Sequence, residues 1–377
     1  MTDFAEPAVD AAVLSTADGS GSWTWAGALL SADGSLEATM RYADLSWDER
    51  NARVAEQDAA WLAAQWSPPA PGTRFELRYI TGPEAENVRA AMLVRVRGQS
   101  EEAAHRLTRE QLARACDPDD ALPPHVSGRP IGTDTELHAW LGYPNHVGSF
   151  VEVRKHVSVG RVSRGGTGLP SAACHGFFDS GARWDGWWRR FAKLPFAAAL
   201  SVGFESLDAR DPWLRQELHR RTMELAALAQ PASASPLNPF PVPADPAAAR
   251  AWPGYNRALT RYAGRGFLVR LALVSEQPVP AVLVESLVRT VSSTEGAVEA
   301  FELLPAEHDA AVAEYRALGA PWLPASYQRN LPTALDPVDR LLHGFADLTE
   351  AAVLLSLPVH WPGMPPVFGA NEGITGG

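Results

Sequence analysis

The sequence predicts an α+β fold in two loosely repeated halves, each a two-layer arrangement of helices on a mixed or antiparallel sheet. Three observations carry that reading. Residues 74–80 (RFELRYI) and 90–97 (AAMLVRVR) alternate apolar and polar side chains, the period of a strand with one buried face. Residues 100–116 follow as a charged amphipathic helix, opened by Ser100 and two acids. A strand–helix–strand order recurs after residue 250, and no G-x-G-x-x-G turn marks a doubly wound parallel sheet.

Taken in order, the first 21 residues are small and polar and read as a flexible terminus. Residues 23–30 read as a strand and 36–42 as its partner, joined through Ala32, Asp33 and Gly34. Residues 47–66 carry Val54, Ala55, Trp61 and Leu62 at helical spacing. Asp48 and Glu49 stand in the first turn, where the helix dipole favours acids. A Pro/Gly break at 67–72 leads into the two alternating strands, and the first half (22–130) closes after the helix at 100–116.

The second half spans 131–356. Residues 151–162 (VEVRKHVSVGRV) read as one long strand, valines on one face and Glu152, Arg154 and His156 on the other. Trp184, Trp187, Trp188 and Phe191 stand at i, i+3, i+4 and i+7 of a helix. A buried strand at 197–204 precedes a helix at 212–230 with Trp213, Leu214, Leu218, Leu225 and Leu228 on its inner side. The Pro-, Ala- and Ser-rich stretch 231–249 reads as a loop. Helices at 251–262, 280–291, 305–318 and 338–354 then alternate with strands at 267–274 and 297–303, and 357–377 forms a Pro/Gly-rich tail.

Composition narrows the function. The chain has 377 residues, 46% hydrophobic and 20% charged, which suits a globular protein large enough for two cores. Its apolar runs are too short to span a bilayer, and two cysteines in distant positions make no disulfide framework. A cytoplasmic location is the expectation. A net charge of −11 argues against a duplex-binding surface overall. One local basic cluster, Arg154, Lys155, Arg161 and Arg164, is the candidate nucleic-acid contact; the alternative is a set of solvated strand faces.

The glycine-rich turn at 164–168 lacks what a phosphate loop needs, Gly-Lys followed by Ser or Thr. Neither lysine follows a glycine, since Lys155 stands after Arg154 and Lys193 after Ala192. The chain is therefore expected neither to bind nor to hydrolyse ATP, and no cofactor is implied. Cys174 and His175 are adjacent, but catalytic pairs usually meet from separate elements, and the aromatic surroundings favour a buried thiol. The ten histidines show no HxxxH or HExxH spacing, and a metal site from His138 and His146 is a weak alternative. Trp252, Trp322 and Trp361 sit beside prolines, where exposed aromatics mark protein contacts.

Several stretches together resemble the region preceding the ATPase domain in HerA/FtsK-type ATP-binding proteins of actinobacteria, which are allied to type IV secretion and conjugation ATPases. They are 74–80 and 92–98 with the helix after them, 200–205 (LSVGFE) and 261–267 (RYAGRGF). Near the end, 335–341 (LDPVDRL), 350–352 (EAA), 357–359 (LPV) and 362–365 (PGMP) continue the likeness. The Walker motifs of that family match no position here. The resemblance implies a non-catalytic accessory or scaffold subunit beside a separately encoded ring ATPase, in DNA translocation, conjugation or anti-phage defence. It also implies that Trp361, Met364 and Phe368, in the strip leading toward the motor, contact the partner. The chain is read as a natural stand-alone protein, with truncation before a motor as the alternative. The other functional readings are a component of a different multi-protein machine and, more distantly, an enzyme using Cys174 or His175.

Overall fold

The computed structural model describes residues 11–18, 21–68, 72–83, 85–116, 122–164, 170–178, 184–233, 240–319 and 337–369. The fold is α+β. The first half of the chain supplies β1 (Leu14–Asp18), β2 (Gly21–Ala32), α1 (Trp47–Gln65), β3 (Arg74–Thr81), β4 (Arg89–Gly98), α2 (Glu101–Cys116), β5 (Val126–Pro130) and α3 (Asp134–Gly142). The second supplies β6 (Ser149–Lys155), a hairpin of β7 (Val157–Arg161) and β8 (Pro170–Cys174), α4 (Trp184–Phe191) and β9 (Ala198–Asp208). Helices α5 (Pro212–Ala229) and α6 (Pro246–Arg261) lead to β10 (Arg265–Ser275), α7 (Ala281–Val291), β11 (Val298–Glu302) and α8 (Pro305–Arg316). The described chain closes with α9 (Pro337–Gly344), β12 (Phe345–Asp347) and α10 (Leu348–Val353).

Both halves feed one antiparallel sheet of ten strands, ordered β1-β2-β4-β3-β9-β10-β6-β11, with β5 added to β2 and β12 to β10. The repeat is explicit in this order. Outer to inner, the first half runs β5-β2-β4-β3 and the second β11-β6-β10-β9, and the two meet at the β3–β9 seam, where Phe75 pairs with Phe204 and Tyr79 with Leu200. The helices follow suit: α1, α2 and α3 occupy the chain positions of α4, α7 and α8. Even the register repeats, since Leu30 of β2 faces Gly128 of β5 as Val153 of β6 faces Ala300 of β11. The sheet therefore has approximate two-fold symmetry about an axis through its centre.

Alternation within the strands decides which layer each face builds. Phe75, Leu77, Tyr79, Leu200, Val202, Phe204, Phe267 and Leu271 point to one side and pack under α1, α2, α4 and α7. The Phe75 and Phe204 rings stack across the seam at 4.9 Å, and the Trp184–Phe191 stripe delivers Trp187, Trp188 and Phe191 to the same core. On the opposite side, Leu29, Ile80, Phe150, Ala199 and Val274 pack with Leu137, Trp140 and Tyr315 of α3 and α8. Burying rings of this size dominates the energetics of both layers.

Four elements differ from the sequence expectation. Residues 14–18, expected to be flexible, pair with β2 from Leu14↔Trp25 to Asp18↔Gly21. Residues 36–42 form turns instead of a strand, because Leu36 and Tyr42 find burial against Val54, Val359 and Trp361. The long strand at 151–162 breaks at His156, whose N–H stays on Ala297 while β7 turns away to pair with β8. The last helix is split by β12, which needs Gly266 opposite: a Cβ there would fall 2.4 Å from the Phe345 ring. Asp347 then starts α10 by accepting the N–H of Glu350 at 2.8 Å. The strand β5 and helix α3 were not anticipated.

Candidate functional site

The predicted basic cluster is dispersed by the fold, and three of its four members are corrected. Lys155 shares the inner face of β6 with Val151 and Val153 and is fully buried. Its ammonium donates to Glu350 Oε2 at 2.5 Å, to Tyr262 Oη at 2.9 Å and to the Phe345 carbonyl, so no phosphate can reach it. Arg154, on the other face, is 8% exposed and paired with Glu152. Arg164 caps α5, donating to the carbonyls of Leu228 and Gln230, while Asp245 accepts its backbone N–H at 3.0 Å. A guanidinium at a helix C-terminus satisfies orphan carbonyls and the dipole together. Only Arg161 of the four is exposed.

The C-terminal strip is likewise mostly core. Trp361 is buried with its ring 5.0 Å from Trp47, beside Leu36, Tyr42 and Val359. Phe368 drops between Trp188 and Tyr79, held there because Val88 donates to Val367 and Gly369 donates to Val88. Both are anchors, which corrects their expected role as partner contacts. Met364 is 39% exposed.

The remaining sequence candidates do not converge. The Cys174 side chain, Trp322 and glycines 165, 166 and 168 lie outside the described residues. His175 is half-buried, and its imidazole is held below its ordinary pKa by that burial and by His156 and Arg257. His138 and His146 are both exposed, and His138 bonds the Asp134 carbonyl of its own helix. Among the described residues no three His, Cys, Asp or Glu side chains come together as a metal site.

Sequence reasoning missed three buried polar networks. The first joins the two halves. Arg78 donates to the Trp140 and Leu141 carbonyls at the end of α3 (2.7 and 2.8 Å) and to the Tyr315 carbonyl at the end of α8 (3.0 Å). Glu76 accepts from Arg78 at 2.7 Å and from Arg270 of β10 at 2.8 Å. One guanidinium thus caps two symmetry-related helices. The second network lies in the first half: His125 bonds Tyr42 Oη at 2.8 Å and Asp58 at 3.0 Å, and Asp58 also accepts the N–H of Leu357. Burial, with the Asp58 charge, pushes the Tyr42 hydroxyl up to about 12. The third surrounds Lys155, where Tyr262 donates to Glu350, and Arg261 pairs with Asp347 at 2.7 Å. These groups bond helix ends, backbone and each other, which fits them for holding elements in place.

Exposed chemistry lies elsewhere. Trp213 is 52% exposed, Met223 58% and Phe240 75%, all on the segment containing α5 and α6. Trp213 was expected on the inner side of its helix. It stands in the first turn, two residues after the Asp211 cap, and the core is reached only from Leu214 onward with Leu218 and Leu225. The segment is inserted between β9 and β10, where the first half has only residues 82–88. No family model matches the chain, and no curated protein matches it.

Proposed function

We propose that the protein is a non-catalytic accessory or scaffold subunit of a cytoplasmic assembly, working beside a separately encoded ring ATPase of HerA/FtsK type. The processes in view are DNA translocation, conjugation and anti-phage defence. The class of partner comes from the sequence resemblance. The observation that carries the scaffold reading is the inserted α5–α6 segment with large apolar groups facing solvent. Such groups at a surface mark protein contact sites, and tryptophan and phenylalanine are enriched there. The polar groups best suited by type to catalysis, Lys155, Glu350, His125 and Glu76, are all buried and engaged in positioning, which favours the same reading.

Co-expression with a HerA/FtsK-type ATPase encoded next to the gene tests it, with affinity capture through this chain. The expected outcome is recovery of the ATPase, reduced at least about tenfold by Trp213→Ser with Phe240→Ser, as loss of an interface hot spot would do. Equal recovery with the double variant moves the contact off the insertion. A purified chain that itself binds ATP with Mg²⁺ overturns the accessory role.

A further inference from the structure

The approximate symmetry of the sheet exposes one place where the halves differ in what fills them. In the first half, the groove between α2 and β5 is occupied by the chain itself. Leu122 packs against the core there, and a Cβ built on Gly128 would fall 2.8 Å from its Cδ1. The equivalent position in the second half is Ala300, since β6–β11 repeats the β2–β5 register. Among the described residues no such side chain sits over Ala300. An open groove of about 610 Å³ runs between α7 and β11, floored by Val284, Val288 and Ala300. The connection from α7 to β11 is short (residues 292–297), while its counterpart runs from 117 to 125.

Beside this groove runs the outer edge of β11. His156 donates to the Ala297 carbonyl and Leu303 to that of Phe150, so the antiparallel alternation turns the backbone of Val298 and Ala300 outward. Among the described residues no strand pairs with that edge. In the first half β5 is likewise paired only with β2 among the described residues, and β1 covers the rest of the β2 edge. Glu285, Glu295 and Glu299 border the groove against one cation, Arg289.

We infer that the α7–β11 groove binds an extended basic peptide segment of a partner protein. The segment adds as a strand to the edge of β11 and places an aliphatic side chain over Ala300, where Leu122 lies in the first half. Main-chain hydrogen bonds supply affinity, and the aliphatic pocket and acidic rim supply selectivity. This rests on reading the chain as an interaction protein but not on the class of its partner, and it uses a surface separate from the α5–α6 insertion.

The test is fluorescence anisotropy with the labelled peptide Lys-Val-Lys-Leu-Lys-Val-Lys and the full chain. Saturable binding is expected, weakened by salt and lost when glutamate replaces every lysine of the peptide. Ala300→Pro removes an outward N–H without touching the β6 ladder, as edge strands tolerate, and is expected to weaken binding about tenfold or more. Should that variant fail to fold, Val288→Trp, which fills the groove from the helix side, serves with the same expectation. Absence of saturable binding, or equal binding by the variant, overturns the proposal. So does a dimer in sedimentation that Ala300→Pro dissolves, because the occupant is then a second copy. Any of these failures leaves capture of the ATPase through the α5–α6 insertion a separate result.

Discussion

The two halves share a strand order and a register, yet the first is sealed and the second is open. In the first, a loop over 82–88 joins the central strands, Leu122 fills the groove beside α2, and β1 and β5 cover the outer edge of β2. In the second, the same connection has become two helices carrying exposed Trp213 and Phe240, and among the described residues no counterpart of Leu122 fills the groove beside α7. The buried histidines differ in the same sense. His125 is clasped between Tyr42 and Asp58, whereas burial and the nearby charges of Arg154 and Lys155 press His343 down to about 3. A repeated unit of this kind can spend one copy on stability and leave the other for contacts.

The largest effect is expected where the copies are joined. Arg78→Ala leaves the carbonyl ends of α3 and α8 without their cation and Glu76 with Arg270 alone of its two arginine partners. Breaking a buried ionic network this way costs about 3–5 kcal/mol. Urea denaturation is expected to show one cooperative transition, shifted by that amount. Two separated transitions in the wild-type protein, or a loss below about 1 kcal/mol in the variant, would mean the copies are independent and Arg78 is incidental.

Much of this architecture was legible because it rests on period. The alternation of RFELRYI and AAMLVRVR and the spacing of Trp184, Trp187, Trp188 and Phe191 hold in the fold. What was not legible depends on partners distant in sequence. Arg154 and Lys155 are neighbours with the same charge, and only the pairing of β6 sends one to each face, so a basic cluster on paper becomes a buried ion pair on one face and a core ammonium on the other. Trp361 and Phe368 looked like a docking strip because prolines surround them; their burial follows from main-chain contact with Val88 and packing on Trp47 and Trp188. β5 is short and carries Gly and Pro, so no alternation announces it.

A smaller effect is expected in the sealed copy. Asp58→Asn keeps the shape but removes the charge that holds His125 and the Leu357 N–H. The cost expected is about 1–3 kcal/mol, that of a disrupted buried hydrogen-bond pair. Since Leu357 leads into the strip with Trp361, hydrogen exchange is expected to quicken in 357–361 and to be unchanged in β11. Uniform change across the sheet would refute the local role.

In the open copy the dependence is on pH. An unfolded histidine takes a proton near 6.5, while folded His343 resists one until about 3. Between those values the unfolded state binds more protons, so stability falls as pH drops, by up to about 1.4 kcal/mol per unit. His175 is pressed in the same direction by its burial and by His156 and Arg257. His343→Gln is therefore expected to flatten, without abolishing, the loss between pH 6.5 and 5, measured as denaturation midpoints. An unchanged slope would place the proton uptake elsewhere.

The smallest effect on stability is expected where the largest effect on binding is. Trp213 and Phe240 are bulky apolar groups facing solvent, so replacing both with serine deletes little buried area, and a change within about 0.5 kcal/mol per site is expected. The control is Trp188, equally aromatic and fully buried among Trp184, Trp187, Phe191 and Phe368. Trp188→Ser deletes a packed ring and is expected to cost at least about 3 kcal/mol. Melting temperatures of the two variants, measured side by side, decide between conservation of apolar mass for packing and its display for contact. If the Trp213 and Phe240 variant melts as early as the Trp188 variant, the insertion is a third structural layer and the second copy is as sealed as the first. If it melts with the wild type and releases the ATPase, the opening of the second copy serves recognition.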